Sequence, residues 1–426
     1  MESATPSSPD ALIERTELAL LLGRLLFRSG ASTQRIIDSM ELLHARLGGE
    51  RLDVLVTYDA ITVTASEGGR SCTRVDASRE VAGVNIHAQG EIRRLLLNEE
   101  TTPADLARIR ERLHEIATAP ERVPTYPWRW LAAGLVSAGF CAFNGGDWPA
   151  VGTAVVASLV IFAVRFELLR RQFTVYPATL GAVSIGGLIA TLAARQGWSA
   201  TPDIALIAPA LFLVPGVPLI TGGIDITRNH NSIGLARIAY TLALTATLAL
   251  GLSLSLPLLV HAPLTTAAPL SISWPRPLID AAWGALAAAG LALLNGAHWR
   301  AVGVCAICGA TARFLRESGV EYGFDPAGAT LLAAVVVALL AIGLGARRRM
   351  PSVIVAVMGC LTLIPGFYAI TGARGLFQLS VRGAAMSWPE AAAGFQNLLE
   401  ALFISFAIVA GIILTFMVVE RGTRRV

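Results

Sequence analysis

The sequence predicts a polytopic α-helical membrane protein of about ten transmembrane helices. They fall in two five-helix repeats, inverted with respect to each other, preceded by a small α+β cytoplasmic domain. Three observations predict it. The 426 residues are 54% hydrophobic and only 15% charged, against the roughly 25% charge of soluble domains. Apolar stretches long enough to span a bilayer, about 20 residues each, recur from Trp130 to the C-terminus. Two pairs of segments are near copies. Leu213–Gly223 (LVPGVPLITGG) and Leu363–Ala373 (LIPGFYAITGA) share six of eleven residues, 150 positions apart. Gly139–Gly152 (GFCAFNGGDWPAVG) and Gly290–Gly303 (GLALLNGAHWRAVG) repeat at a spacing of 151. Interrupted apolar segments in corresponding positions of two halves are the sequence mark of a transporter binding site.

Residues 1–122 are read as the cytoplasmic domain. No secretory signal is expected, because Arg15, Glu17 and Arg24 interrupt the first apolar run. Asp10 can cap a helix to Phe27 or Arg28, with Leu18, Leu21, Leu22, Leu25 and Leu26 as its apolar face. After the break at Arg28–Ser32, Ser32 or Thr33 starts a second helix, Gln34–Leu47, which Gly48-Gly49 ends. Leu52–Ser66 is Val-, Ile- and Thr-rich strand sequence, turned at Gly68-Gly69 to pair with Ser71–Val75. Two helices follow, His87–Leu97 and Pro103–Thr118, the latter with Thr102 as cap and Pro103 at its first position. Pro120, Pro124 and Pro127 make a stiff linker.

The first membrane repeat, 123–270, holds segments at about 130–147, 149–166, 176–194, 204–224 and 233–257. The second, 271–426, holds about 278–296, 299–316, 327–346, 352–373 and 395–419. The Pro-rich stretch His261–Pro277 joins them. Arg165, Arg170, Arg171, Arg228, Arg237, Arg347–Arg349, Arg421, Arg424 and Arg425 fall on one side, with both termini. Arg195, Arg276, Arg316, Arg374 and Arg382 are spread singly over loops of the other. The bias places both termini in the cytoplasm. Five segments per repeat is an odd number, so the second repeat enters from the opposite side.

Proline removes a backbone donor and glycine permits unwinding. Inside a bilayer the freed groups need protein, water or substrate as partners. Pro215 and Gly216, and Pro365 and Gly366, are therefore candidate substrate-binding positions, with the hydroxyls of Thr221, Tyr368 and Thr371 beside them. A packing kink is the plain alternative. Asn144 and Asn295, equivalent by the repeat, are further candidates, although Asn-Gly also suits a helix C-cap. Trp148 and Trp299 read as interfacial anchors. Asp225 and Glu400 are candidate proton-coupling groups, because carboxylates at membrane depth are rare and functional. The alternative is capping, or pairing with Arg228 or Arg382. Asp147, Asp203, Asp280 and Asp325 read as loop or cap residues. Cys305-x-x-Cys308 reads as small residues at a helix contact rather than a redox pair.

No cofactor or metal site is expected, and no enzyme. The chain contains no lysine, hence no Lys-bearing phosphate loop that would make ATP the energy source. His44, His87 and His114 are scattered, and Ser29, Ser32, Asp59 and Asp76 form no triad motif. The expected partners are a small amino acid or carboxylate substrate, protons and the lipid bilayer. A homo-oligomer is left open, and nucleic acid is not expected.

Four stretches carry a resemblance: Arg28–Thr33 (RSGAST), Val56–Ser66 (VTYDAITVTAS), Val84–Leu96 (VNIHAQGEIRRLL) and Val214–Ile226 (VPGVPLITGGIDI). They resemble the bacterial threonine/serine exporter family, in which a cytoplasmic domain precedes the membrane part. The second half, with LIPGFYAITGA, is similar to the smaller partner subunit that some members encode separately; here the two are fused. The resemblance implies proton-driven export of small hydroxy amino acids across the bacterial inner membrane. Similar two-subunit systems export dicarboxylates such as succinate. Ile220-Thr221 stands where a more polar pair is expected, which leaves side-chain selectivity open. Other readings are a passive channel and a membrane-tethered hydrolase using the N-terminal domain.

Overall fold

A computed structural model describes residues 9–77, 83–97, 105–118, 126–254, 275–348 and 350–423. The chain opens with α1 (Pro9–Arg28) and α2 (Thr33–Arg46), followed by β1 (Arg51–Val56), β2 (Ile61–Glu67) and β3 (Arg70–Asp76). The strands form an antiparallel sheet in the order β1-β2-β3. Its inner face and the helices' apolar stripes make one core, in which Leu18, Leu22, Ile36, Met40, Leu43 and Val63 are buried. Arg15 ties this layer together, pairing with Glu67 at 2.6 Å and donating to the Leu47 carbonyl at 3.2 Å. The expected single strand Leu52–Ser66 is split. Ala60 N–H donates to Thr57 Oγ1 and Thr57 N–H to Ala60 O, a turn local to Thr57–Ala60 that the β-branched composition concealed. Helices α3 (Ile86–Leu97) and α4 (Leu106–Thr118) complete the domain. The expected cap at Thr102-Pro103, the linker prolines Pro120 and Pro124, and nearly all of the inter-repeat stretch lie outside the described residues.

The membrane part begins with α5 (Tyr126–Phe143), α6 (Trp148–Arg170) and α7 (Val175–Arg195). A broken pair follows, α8 (Pro202–Ile207) with a 3-10 turn to Leu213, then α9 (Gly216–Thr227); α10 (Asn231–Ser253) ends the half. The second half repeats the series: α11 (Arg276–Leu294), α12 (Trp299–Glu321), α13 (Pro326–Arg348), the pair α14 (Ser352–Cys360) and α15 (Gly366–Arg382), and α16 (Trp388–Thr423). Among the described residues six helices are long and apolar enough to cross a membrane, or up to eight if each bent pair is one span. Helix α5 has a shorter apolar run, Trp128–Phe143. Helix α12 carries Arg313, Arg316 and Glu317 along its length. Large apolar side chains stand exposed along the bundle, Leu242, Phe406 and Val418 among them, as a lipid-facing surface requires.

Small residues let helices approach in matching ways in the two halves. A Cβ on Gly139 would stand 2.8 Å from the Trp283 carbonyl, and one on Gly290 2.8 Å from that of Ala132, so α5 and α11 cross antiparallel at reciprocal points. Gly251 packs on the Leu180 carbonyl and its counterpart Gly411 on that of Leu331.

Candidate transport site

Both Pro-Gly segments break their helices. Before Pro215 the chain leaves the 3-10 turn, Val214 takes extended angles (φ −62°, ψ 121°), and α9 starts at Gly216, bent 60° from α8. Before Pro365, Ile364 does the same (φ −57°, ψ 129°), with a bend of 51°. The two breaks meet. A Cβ on Gly216 would lie 2.1 Å from Ile364 Cδ1, and one on Gly366 3.2 Å from Leu211 Cδ2. Each break thus supplies the wall of the other, and only glycine permits so close an approach at Gly216. Gly216→Val is expected to reduce transport far more than Gly366→Ala, because a Cβ on Gly216 would overlap Ile364 Cδ1 and Leu361 Cδ2 at 2.1 and 2.8 Å, whereas one on Gly366 meets nothing nearer than 3.2 Å. Efflux measured on equal amounts of folded protein checks this, and equal rates for the two variants would count against a close-packed centre.

On the side of the N-terminal domain, Asp225 at the end of α9 is fully buried and paired with Arg237 of α10, Nη1–Oδ2 2.9 Å. The RSGAST segment docks onto this pair. Thr33 N–H donates to Asp225 Oδ1 at 2.9 Å, and Arg237 Nη2 donates to the Ala31 carbonyl at 2.8 Å. Thr33 is the first residue of α2, so the carboxylate caps that helix in place of a side chain of its own. Gly30 holds a left-handed angle (φ +80°) with the Gly83 carbonyl against it, which shapes the segment. His230 with Gln34 at 3.1 Å, and Ile86 N–H donating to Asn295 O at 3.0 Å, complete the docking. The space left between the domain and the first break, lined by Tyr58, Val217, Pro218, Thr221, Arg237 and Tyr240 among others, has a volume of about 10 Å³.

The second break faces a larger space. A cavity of about 300 Å³ is lined by Asn144, Arg276, Arg313, Arg316, Pro365 and Tyr368 among others. It lies at the Phe143 end of α5, the end opposite Asn295 and the docked domain. Phe367 and Tyr368 in this cavity are the repeat counterparts of Val217 and Pro218 in the small one. Arg313 pairs with Asp280 at 2.8 Å, donates to the Phe143 carbonyl at 3.4 Å, and lies 4.0 Å over the Phe143 ring. Arg276 pairs with Glu317 at 2.9 Å. Arg316 has no acidic partner among the described residues, and its Nε is buried without a hydrogen bond.

The structure therefore distributes the expected site residues unevenly. Pro365, Tyr368 and Asn144 line the large cavity, and Thr221 lines the small one. Gly216 and Gly366 stand at the contact between the breaks, and Pro215 immediately precedes α9, its carbonyl accepting from Thr241 Oγ1 at 3.4 Å. Asn144 and Asn295 donate their amides to the carbonyls four residues earlier, Phe140 and Leu291, and so close helix ends. Gly145 and Gly296 follow at positive φ. Thr221 Oγ1 donates to Val217 O, whereas Thr371 Oγ1 is buried without a partner. Glu400 on α16 is half-buried, with Oε1 unpaired.

Several expectations are corrected. Asp225 pairs with Arg237, not Arg228, and Arg382 pairs with Glu390, not Glu400. Asp280 is no cap but half of a buried ion pair. Asp203 follows the cap residue Thr201 and is not itself the cap; its Oδ2 is buried without a hydrogen bond, and its electrostatic neighbour is Arg374. Arg316 and Arg374 lie within α12 and α15 rather than in loops, and Arg374 is buried. Asp147 and Asp325 do cap, accepting from Ala150 N–H and Gly328 N–H. Burial alone raises the Asp147 carboxyl, but bonds from Ser199, Ala150 and Ala200 outweigh it and hold the group below its ordinary value. Cys305 and Cys308 are buried free thiols, and Cys308 packs where Gly359 lets α14 approach. The acid–arginine pairs were the missed residues. Their signal was Arg313, Arg316 and Glu317 at one-turn spacing inside an apolar segment.

Paired broken helices meeting inside a bundle of apolar helices define a polytopic membrane transporter of a small-molecule substrate. Residues 17–259 match the family model described as "Putative threonine/serine exporter" and residues 280–418 the one described as "Threonine/Serine exporter, ThrE", and the chain belongs to that family. It is 24% identical to "Threonine/serine exporter" of Corynebacterium glutamicum, over 99% of this chain and 88% of that protein. It is 26% identical to "Probable threonine/serine exporter" of Mycobacterium tuberculosis, over 93% and 75%. It is 30% identical to "Probable succinate transporter subunit YjjP" of Escherichia coli, over 54% of this chain and 89% of that one. No solved structure matches the chain.

Proposed function

We propose that the chain is a proton-coupled secondary exporter of threonine, serine or related small amino acids. The substrate binds where the two Pro-Gly breaks meet. Residues 1–122 form a cytoplasmic domain, and 123–270 and 271–426 are two five-helix repeats of inverted topology, ten spans in all, with both termini in the cytoplasm. The observation that carries the reading is the asymmetry of the two spaces. The cavity at the second break measures about 300 Å³, while the corresponding space at the first is reduced to about 10 Å³ under the N-terminal domain. Repeat-equivalent surfaces at opposite ends, one open and one closed, are what alternating access between inverted repeats requires. The matched glycine crossings support the same symmetry.

The chemistry of the open cavity favours an amino acid. Among the described residues Arg313 and Arg276 are committed to Asp280 and Glu317, which leaves Arg316 for one carboxylate. The carbonyls of the broken segment Thr362–Ile364 suit an ammonium group. A dicarboxylate needs a second cation, and Arg237, which lines the space at the first break, is held by Asp225. The succinate reading rests on the YjjP relative and is the alternative. Proteoliposomes decide it. Labelled threonine or serine should leave faster under an imposed pH gradient, and a protonophore should abolish the difference. Succinate efflux alone would transfer the protein to the dicarboxylate branch, and flux insensitive to the protonophore would make it a passive channel.

In this scheme the RSGAST segment is the inner seal. Proline is accepted at the first position of a helix and removes only the N–H, and Ser32 before it already has the extended angles that proline demands (φ −68°, ψ 152°). Thr33→Pro is therefore expected to leave α2 folded while deleting the bond to Asp225. Cysteine labelling near Thr221 from the domain side should increase several-fold. Unchanged labelling would mean that this bond does not hold the seal.

A further inference from the structure

A second cavity lies at the rim where the N-terminal domain meets the ends of the membrane helices. Its volume is about 350 Å³. One wall carries Arg35 of α2, Arg46 at its end, Arg93 of α3 and Arg228 after α9. Asp38 is the acidic residue on that wall, and its Oδ1 accepts from the Gln34 amide at 2.8 Å. Among the described residues neither Arg35 nor Arg93 has an acidic partner, and Arg93 Nε is buried without a hydrogen bond. Burial, and then the neighbouring Arg93, push the Arg35 guanidinium down to about 10. Like charges crowded in a partly dry space repel, and an anion that forks onto both guanidiniums relieves that repulsion.

The lining is also apolar in part. Ile412, Ile413 and Phe416 of α16 belong to it, with Val353 of α14. The rim on the domain side is apolar too, with Leu42 and Leu97 exposed by 42% and 53%. A soluble phosphate has no use for these surfaces. A phospholipid uses both, with its phosphate on the arginines and its chains along α16. Basic pockets beside membrane helices are suited to anionic headgroups.

We propose that this cavity binds the phosphate headgroup of an anionic phospholipid, fastening the N-terminal domain to the bilayer surface. The site is separate from the two breaks and does not depend on what the protein carries.

Native mass spectrometry of the full chain in detergent, with added phosphatidylglycerol or phosphatidylcholine, tests it. Wild type should retain phosphatidylglycerol selectively. Arg35→Gln with Arg93→Gln should weaken retention roughly thirtyfold, as expected for two arginine contacts, while Arg35→Lys with Arg93→Lys keeps most of it. Gel filtration checks that each variant folds, and the single Arg93→Gln variant serves if the double does not. Equal retention of the two lipids, or undiminished retention in the glutamine variants, overturns the proposal. Thermal stabilisation by inorganic phosphate or pyrophosphate without selective lipid retention also overturns it, in favour of a soluble anion.

Discussion

Asp225→Asn is expected to abolish gradient-driven efflux while leaving substrate exchange measurable. The substitution is nearly isosteric, and the amide oxygen can still accept from Thr33 N–H. What it removes is the charge that holds Arg237, 2.9 Å away in a site with almost no solvent. If Asp225 is the coupling acid, a proton on it does the same thing transiently, releasing Arg237 and loosening the docked domain. Asparagine makes that release permanent. It also leaves a buried guanidinium without its counter-ion, at a cost of about 3–5 kcal/mol, so lost transport alone proves nothing. Asp225→Asn combined with Arg237→Gln removes both charges and should recover most of the stability. If that double variant folds and still exchanges substrate but cannot respond to a pH gradient, Asp225 is a coupling group. Full gradient response in a well-folded Asp225→Asn protein would sink the assignment and leave Glu400 as the acid to test.

The second large effect is expected at Arg313. Arg313→Ala strands Asp280 in the interior and deletes the contact with the Phe143 ring. Loss of a buried partner costs about 3–5 kcal/mol, with about 0.5–2 kcal/mol more for the cation–π contact. The protein should unfold at markedly lower temperature in detergent. Replacing both partners by apolar residues of similar volume, Asp280→Leu with Arg313→Met, should restore most of that stability. It should also restore efflux, because Arg316 rather than Arg313 is left to receive a carboxylate. Arg316→Gln should show the reverse, normal thermal unfolding with efflux reduced at least about tenfold, equivalent to one lost charged contact. Normal efflux in Arg316→Gln would remove the carboxylate site. A folded but inactive double variant would make the ion pair part of the transport machinery.

The breaks were legible because proline and glycine act on their own backbone, whatever surrounds them. The repeat was legible because duplicated residues stay duplicated in a list. The first helix of the N-terminal domain read correctly from leucine spacing, whereas the strand stretch misled, since Thr57–Ala60 turns through a side-chain bond that composition does not reveal. The ionic residues misled more often. Asp280 and Arg313 are 33 positions apart, and no local pattern distinguishes a buried pair from two helix-end charges. Taken alone, Arg316 looked like a loop residue because one more charge after an apolar run usually ends a span.

The sequence by itself determined that this is a multi-span α-helical protein with two broken helices in equivalent places. Apolar length, periodicity and helix-breaking residues are properties of short segments. Only the tertiary structure decided that the breaks touch, that Asp225 belongs to Arg237 and to the amide of Thr33, and that the N-terminal segment docks beside the first break while the second lines a cavity of about 300 Å³. Those are contacts between residues up to 206 positions apart, set by how helices cross in space, and pairing at that range leaves no mark on a local pattern.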